Sequence, residues 1–121
     1  MKTADFFVDR LKTWGVKRVF GYSGDGINGV IGALQRDGGI DFIQPRHEEM
    51  AAFMAVADAK FSGELGVCLA TGGPGATHLL TGLYDAKLDH MSTFIIAKTT
   101  CESSSMKWWM WPPCLPSLLI A

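Results

Sequence analysis

Five successive residues without a charged or strongly polar side chain, Gly66-Val67-Cys68-Leu69-Ala70, run directly into Thr71-Gly72-Gly73-Pro74-Gly75. An apolar run of this length suits a strand, and one with no polar alternation has both of its faces covered. The glycines and the proline then turn the chain. A strand covered on both faces needs a layer above it and a layer below it. This run therefore points to a sheet with helices on either side.

The rest of the chain fits that frame. Phe7, Leu11 and Trp14 form one helical stripe, with Thr3 as the expected N-cap and Gly15 as the stop. A strand is predicted over 16–22, and Ser23-Gly24-Asp25-Gly26 reads as a turn in which Asp25 or a neighbour caps the next helix. Ile27, Val30, Ile31 and Leu34 recur at helical spacing until Asp37-Gly38-Gly39. A second strand over 40–44 is closed by Pro45. A helix over 48–61 follows, with Met50, Phe53, Met54, Ala57 and Phe61 as its expected buried face. After the strand at 66–70 come one helix over 76–89 and a fourth strand over 93–97.

Strands alternating with helices through short turns imply right-handed crossovers. The expected fold class is α/β: a three-layer parallel sheet with helices on both faces, flavodoxin-like and incomplete, with one edge thinly covered. This domain spans residues 1–97. From residue 98 to 121 the chain turns Ser-, Trp- and Pro-rich, and Trp108, Trp109 and Trp111 crowd together. That tail shows no periodicity and reads as unrelated to the domain or disordered.

Composition narrows the function. Of 121 residues, 48% are apolar and 19% charged, which is a globular balance. A formal net charge of −1 gives no basic surface for nucleic acid or for an anionic membrane. No apolar stretch reaches the ~18 residues of a spanning helix, and the first ten residues lack a secretory apolar core. Cys68, Cys101 and Cys114 are an odd set without close pairs, which speaks against a disulfide framework and against zinc. Cys68 is expected to pack as a small hydrophobe. The expected setting is cytoplasmic.

Glu48 follows His47 where a strand gives way to a helix, on the side of an open sheet where ligands gather. Its position alone also fits a carboxylate favourably placed at a helix N-terminus, and Glu49 could fill that role instead. Gly72-Gly73-Pro74-Gly75 could cradle phosphate through backbone N–H groups, or could be a plain tight connection. It lacks the P-loop ending and the dinucleotide spacing, and Pro74 has no N–H to give. Asp25 and Asn28 are too few for a magnesium site. His78 could reach a ligand at the turn. His90, twelve residues on, cannot share a metal with it from one helix face, so no metal is expected.

Together these segments resemble one family. Val19-Phe20-Gly21-Tyr22-Ser23-Gly24-Asp25-Gly26-Ile27, Arg46-His47-Glu48-Glu49 with Ala51-Ala52, the stretch from Gly66 to His78, and Gly82-Leu83-Tyr84-Asp85-Ala86-Lys87-Leu88-Asp89-His90 are similar, in order, to the N-terminal pyrimidine-binding domain of thiamine diphosphate enzymes. The nearest branch is that of pyruvate oxidase, pyruvate dehydrogenase (quinone) and acetolactate synthase. The resemblance implies thiamine diphosphate as cofactor and Glu48 as the catalytic residue, hydrogen-bonded to N1′ of the aminopyrimidine from an apolar pocket that raises its pKa. It implies Tyr22, Ser23 and Gly24 on one side of the ring, and Gly73, Pro74, Gly75 and His78 around the other. Magnesium and, where used, FAD belong to domains that this sequence does not contain. The expected product is thus a truncated half-site of a 2-oxo-acid decarboxylating enzyme, inactive alone. A homo-oligomer or a full-length paralogue is the expected partner. The alternatives are a non-catalytic interaction module built on the sheet edge and the Trp-rich tail, and a small α/β domain that binds phosphate at the turn.

Overall fold

The computed structural model describes residues 2–97 and 108–111. Its elements are α1 (Thr3–Thr13), β1 (Arg18–Gly21), a 3-10 turn (Asp25–Ile27), α2 (Asn28–Asp37), β2 (Asp41–Ile43), α3 (Glu48–Ser62), β3 (Gly66–Ala70), α4 (Pro74–His78), α5 (Leu80–Leu88), β4 (Thr93–Ala97) and β5 (Trp108–Trp111). The sheet order is β2-β1-β3-β4-β5. The first three pairings are parallel, as expected. The fifth strand was not foreseen. Residues 108–111 pair antiparallel with β4, Ile96 opposite Trp108 and Thr93 opposite Trp111. One edge of a sheet expected to be thinly covered therefore carries a short strand, too short for a periodic signal to stand out from the Trp-rich sequence around it.

Alternation along the strands builds two cores. Val19 of β1 and Val67 and Leu69 of β3 pack with Phe7, Val8 and Leu11 of α1 and Val30, Ala33 and Leu34 of α2. Phe20 of β1 and Cys68 and Ala70 of β3 point the other way, into Ala51, Ala52 and Ala55 of α3 and Leu79. Successive residues of one strand thus feed opposite layers. Every residue of β3 is buried, as its apolar run implies. Cys68 is packed apolar, and its burial pushes the thiol pKa upward.

Three local expectations are corrected. Lys2, not Thr3, is the N-cap of α1, and its backbone N–H donates to Asp5 Oδ2 at 3.0 Å. Trp14 falls beyond the helix end and is about half exposed, because Gly15 turns the chain at φ +80°. The predicted helix over 76–89 is two helices and starts earlier. Pro74 sits in the first turn of α4, where a missing N–H costs nothing. The Leu79 N–H then bonds to the Ala76 carbonyl, three residues back, and this tighter turn divides α4 from α5.

The largest correction concerns α3. Its buried face is Ala51, Ala52, Ala55, Val56 and Ala59, whereas Met50 and Ala57 are exposed and Phe61 is 93% exposed. The cause is distance. A Cβ on Gly66 of β3 would stand 2.1 Å from the Ala55 carbonyl oxygen, and one on Gly82 of α5 would stand 2.4 Å from Ala52 Cβ. The helix lies so close to both neighbours that only small side chains fit between. Arg18–Asp58 at 2.7 Å ties it to β1, and Lys60 ties it to Asp85 at 3.1 Å and to Asp89 of the α5 end. Such partly exposed pairs align elements more than they stabilise them.

Thr93 is 1% exposed, and its Oγ1 is the buried side-chain oxygen left without a hydrogen bond among the described residues. An unpaired buried hydroxyl costs free energy that an apolar isostere does not. Thr93→Val is expected to raise stability by about 1 kcal/mol, read as a higher urea midpoint at unchanged slope.

Candidate functional site

The sheet reverses its winding between β1 and β3. The chain leaves β1 toward β2 on one side, and β3 then pairs on the other. At such a switch point the loops leaving the carboxyl ends diverge and open a crevice. Three loops meet at that end. The first is Tyr22-Ser23-Gly24 after β1, the second leads from β2 into α3 at Glu48, and the third is Thr71-Gly72-Gly73 after β3.

The first and third loops touch. The Tyr22 N–H donates to the Leu69 carbonyl at 3.1 Å. A Cβ on Gly24 would stand 2.9 Å from Thr71 Cβ, so only glycine permits this approach. Asp25 caps no helix through its side chain; its carboxylate accepts from Asn28 Nδ2 at 3.4 Å, and α2 starts uncapped at Ile27. Gly73 adopts φ +72°, ψ −134°, a conformation essentially confined to glycine. It turns the chain so that Gly75 enters α4 buried.

Glu48 opens α3, and His47 precedes it in extended conformation as the N-cap. Its Nδ1 accepts from the Glu49 N–H at 3.2 Å, and both Glu48 and Glu49 lie in the first turn of α3. The Glu48 side chain turns inward and is only 15% exposed. Its Oε2 accepts from His78 Nδ1 at 3.1 Å, and His47 Nε2 lies 3.9 Å from the same oxygen. Its Oε1 faces the third loop, 3.3 Å from where a Gly75 Cβ would be. The acid and the glycine bend thus face one another directly.

One electrostatic expectation is overturned. Burial does push the Glu48 carboxyl upward. Its own helix-terminal N–H, the His78 hydrogen bond and the fields of His78 and His47 outweigh burial, and its pKa lies below the ordinary 4.5. Burial does not prevail, because the helix-terminal N–H comes first among the opposing effects and two imidazoles add to it.

Of the residues expected at the site, Glu48, Gly75 and His78 are brought into direct contact or close approach, and Gly24 joins through Thr71. Tyr22, Ser23 and Gly73 lie in the same loops, and Pro74 opens α4. His90 sits beyond the far end of α5, exposed at φ +55°. Sequence reasoning missed His47 and Thr71. The signal for His47 was its place next to Glu48, since an N-cap side chain stands over its own first turn. Thr71 gave no signal beyond following the buried strand.

One carboxylate oxygen of Glu48 is anchored by His78, and the other faces the glycine bend.

Comparison with known proteins identifies the family. The family model described as thiamine pyrophosphate enzyme, N-terminal TPP binding domain, matches residues 1–110. YdaP of Bacillus subtilis is 52% identical over 88 residues, 72% of this chain and 15% of that protein. Pyruvate oxidase of Lactiplantibacillus plantarum is 51% identical over 83 residues, 67% of this chain and 14% of its own length. The large subunit of acetolactate synthase isozyme 2 of Escherichia coli is 47% identical over 96 residues, 79% of this chain and 17% of the subunit. The chain spans a quarter or less of the curated relatives it matches. Among the described residues no helix is long and apolar enough to cross a membrane. With the match running through all three site loops, the chain belongs to the N-terminal TPP-binding domain family of thiamine pyrophosphate enzymes.

Proposed function

We propose that this chain forms the aminopyrimidine half of a thiamine diphosphate site in an enzyme that decarboxylates a 2-oxo acid, of the pyruvate oxidase or acetolactate synthase kind. The observation that carries the reading is the placement of Glu48, largely buried, with Oε1 facing Gly75. Glu48 accepts or shares the proton at a ring nitrogen. His78 fixes the carboxylate through Oε2 and so aims Oε1. Gly73, Pro74 and Gly75 give one wall of the cleft, and Tyr22, Ser23 and Gly24 the other. When bound, thiamine diphosphate supplies the electron sink that such a decarboxylation needs. Magnesium, the diphosphate contacts and any flavin fall to other domains of such an enzyme. Its buried free thiol, Cys68, suits a reducing cytoplasm.

Titration of the isotope-labelled chain with thiamine and with thiamine diphosphate tests this. Both are expected to shift the amides of Glu48, Gly73 and Gly75, with similar affinities, because only the ring half is recognised. Glu48→Gln is expected to weaken both by about tenfold or more, the worth of one charge-assisted hydrogen bond. Shifts confined to other residues, or equal binding by Glu48→Gln, would refute the assignment.

A second reading, association with another copy or a full-length paralogue, is favoured by one observation. α3 and α5 pack together on one face and expose Phe61, Tyr84 and Leu88 on their outer sides. A monomer by light scattering at all concentrations argues against self-association.

A further inference from the structure

The same corner of the molecule has a property that the thiamine reading does not use. His47, Glu48 and His78 bring one ligand atom each to within 4.8 Å of one another. The two imidazole rings lie side by side, with centroids 4.5 Å apart and planes tilted by 34°. We propose that these three side chains form a site for a divalent transition-metal cation of the zinc type, bound by two imidazoles and one carboxylate.

The hydrogen-bond pattern supports it. Since His47 Nδ1 accepts from Glu49, the proton of its neutral ring sits on Nε2, the nitrogen that faces Glu48 Oε2. His78 Nδ1 is directed at that same oxygen. Two imidazole N–H groups therefore converge on one carboxylate oxygen. A cation placed there takes over the role of both protons. Around zinc, neighbouring tetrahedral ligands stand about 3.4 Å apart, from bonds of roughly 2.0–2.1 Å. The three donors need only close by about 1.5 Å at most, a swing open to two imidazoles that are 50% and 42% exposed. The exposed side leaves a position for water, giving three protein ligands and one open site.

The donor set also selects the metal. Imidazole suits zinc, copper and nickel, whereas magnesium prefers an octahedral shell of oxygens. To bind through Nε2, His47 must move its proton to Nδ1 and release the Glu49 N–H. His78 moves its proton from Nδ1 to Nε2. Metal binding thus breaks the side-chain cap of α3, and this gives a readout independent of binding itself. The proposal does not rest on thiamine recognition, since neither measurement below involves thiamine.

The test is equilibrium dialysis of the metal-stripped full chain against zinc chloride, with magnesium chloride as control, combined with amide exchange. One zinc per chain, no magnesium retention and faster exchange of the Glu49 amide on loading are expected. His78→Ala should weaken zinc binding by at least about tenfold, and the shape-conserving His78→Asn likewise, each checked for an unchanged melting curve. No zinc retained by the parent chain, equal affinity in a folded His78 variant, or an unaltered Glu49 amide would each overturn the site.

Discussion

Gly66→Val is expected to leave the chain largely unfolded at room temperature. The obstacle is backbone: a Cβ at Gly66 would meet the Ala55 carbonyl oxygen at 2.1 Å and its carbonyl carbon at 2.9 Å. A flexible side chain could swing aside, but the carbonyl belongs to the middle of α3 and is held in its helix. Relief requires the whole helix to lift from β3. That would pull Ala51, Ala52 and Ala55 out of their contacts with Phe20, Cys68 and Ala70. Overpacking a core costs typically about 1–3 kcal/mol, and a rigid backbone clash belongs above that range. For a small domain at the low end of the usual range, about 5 kcal/mol, a loss of that full size leaves most of the chain unfolded. Circular dichroism and urea titration read it directly. Gly66→Ala should show the same loss in milder form, because its single methyl already meets the carbonyl. A variant as stable as the parent would mean that α3 does not sit as close to β3 as described.

The same close approach explains what could and could not be read from the sequence. The parallel sheet was legible because β3 has no polar position and because turn residues fall at every boundary, with Gly38 and Gly63 ending α2 and α3 in left-handed conformations. The buried face of α3 was not. Large apolar residues ordinarily mark the inward side of a helix, and Met50 and Phe61 drew the prediction toward themselves, whereas Met54 does pack against the core from its edge. Helix–sheet spacing is a property of two surfaces, and only Gly66 and Gly82, on other elements, carried the information that the gap is narrow. The site shows the same division. Glu48 and the glycine bend were legible as motifs. That two imidazoles flank the carboxylate, and add to its own helix-terminal N–H in holding its pKa down, depends on α4 bringing His78 across thirty residues of chain. The strand at 108–111 depends on a free edge of β4 and has little pattern of its own.

Gly75→Val is expected to abolish thiamine binding while leaving the fold in place. Gly75 is buried, and its φ is not in the left-handed region, so a side chain adds no backbone strain there. A first methyl would stand 3.3 Å from Glu48 Oε1 and 3.3 Å from Thr71 Cγ2, contacts that a shift of a few tenths of an ångström relieves. Valine adds two more methyls. With Thr71 on one side and Glu48 on the other, they project into the space before the carboxylate, where the proposed ring must lie. They also separate Oε1 from any ring nitrogen, so the ligand loses its charge-assisted hydrogen bond together with its shape complement. A loss of at least about a hundredfold follows from removing both, since every 1.4 kcal/mol is a tenfold change. Gly75→Ala should fall between the parent and the valine variant, which makes the series a measure of distance. Binding that survives Gly75→Val in a folded chain would place the ring elsewhere. The carboxylate and the bend would then be neighbours for structural reasons alone.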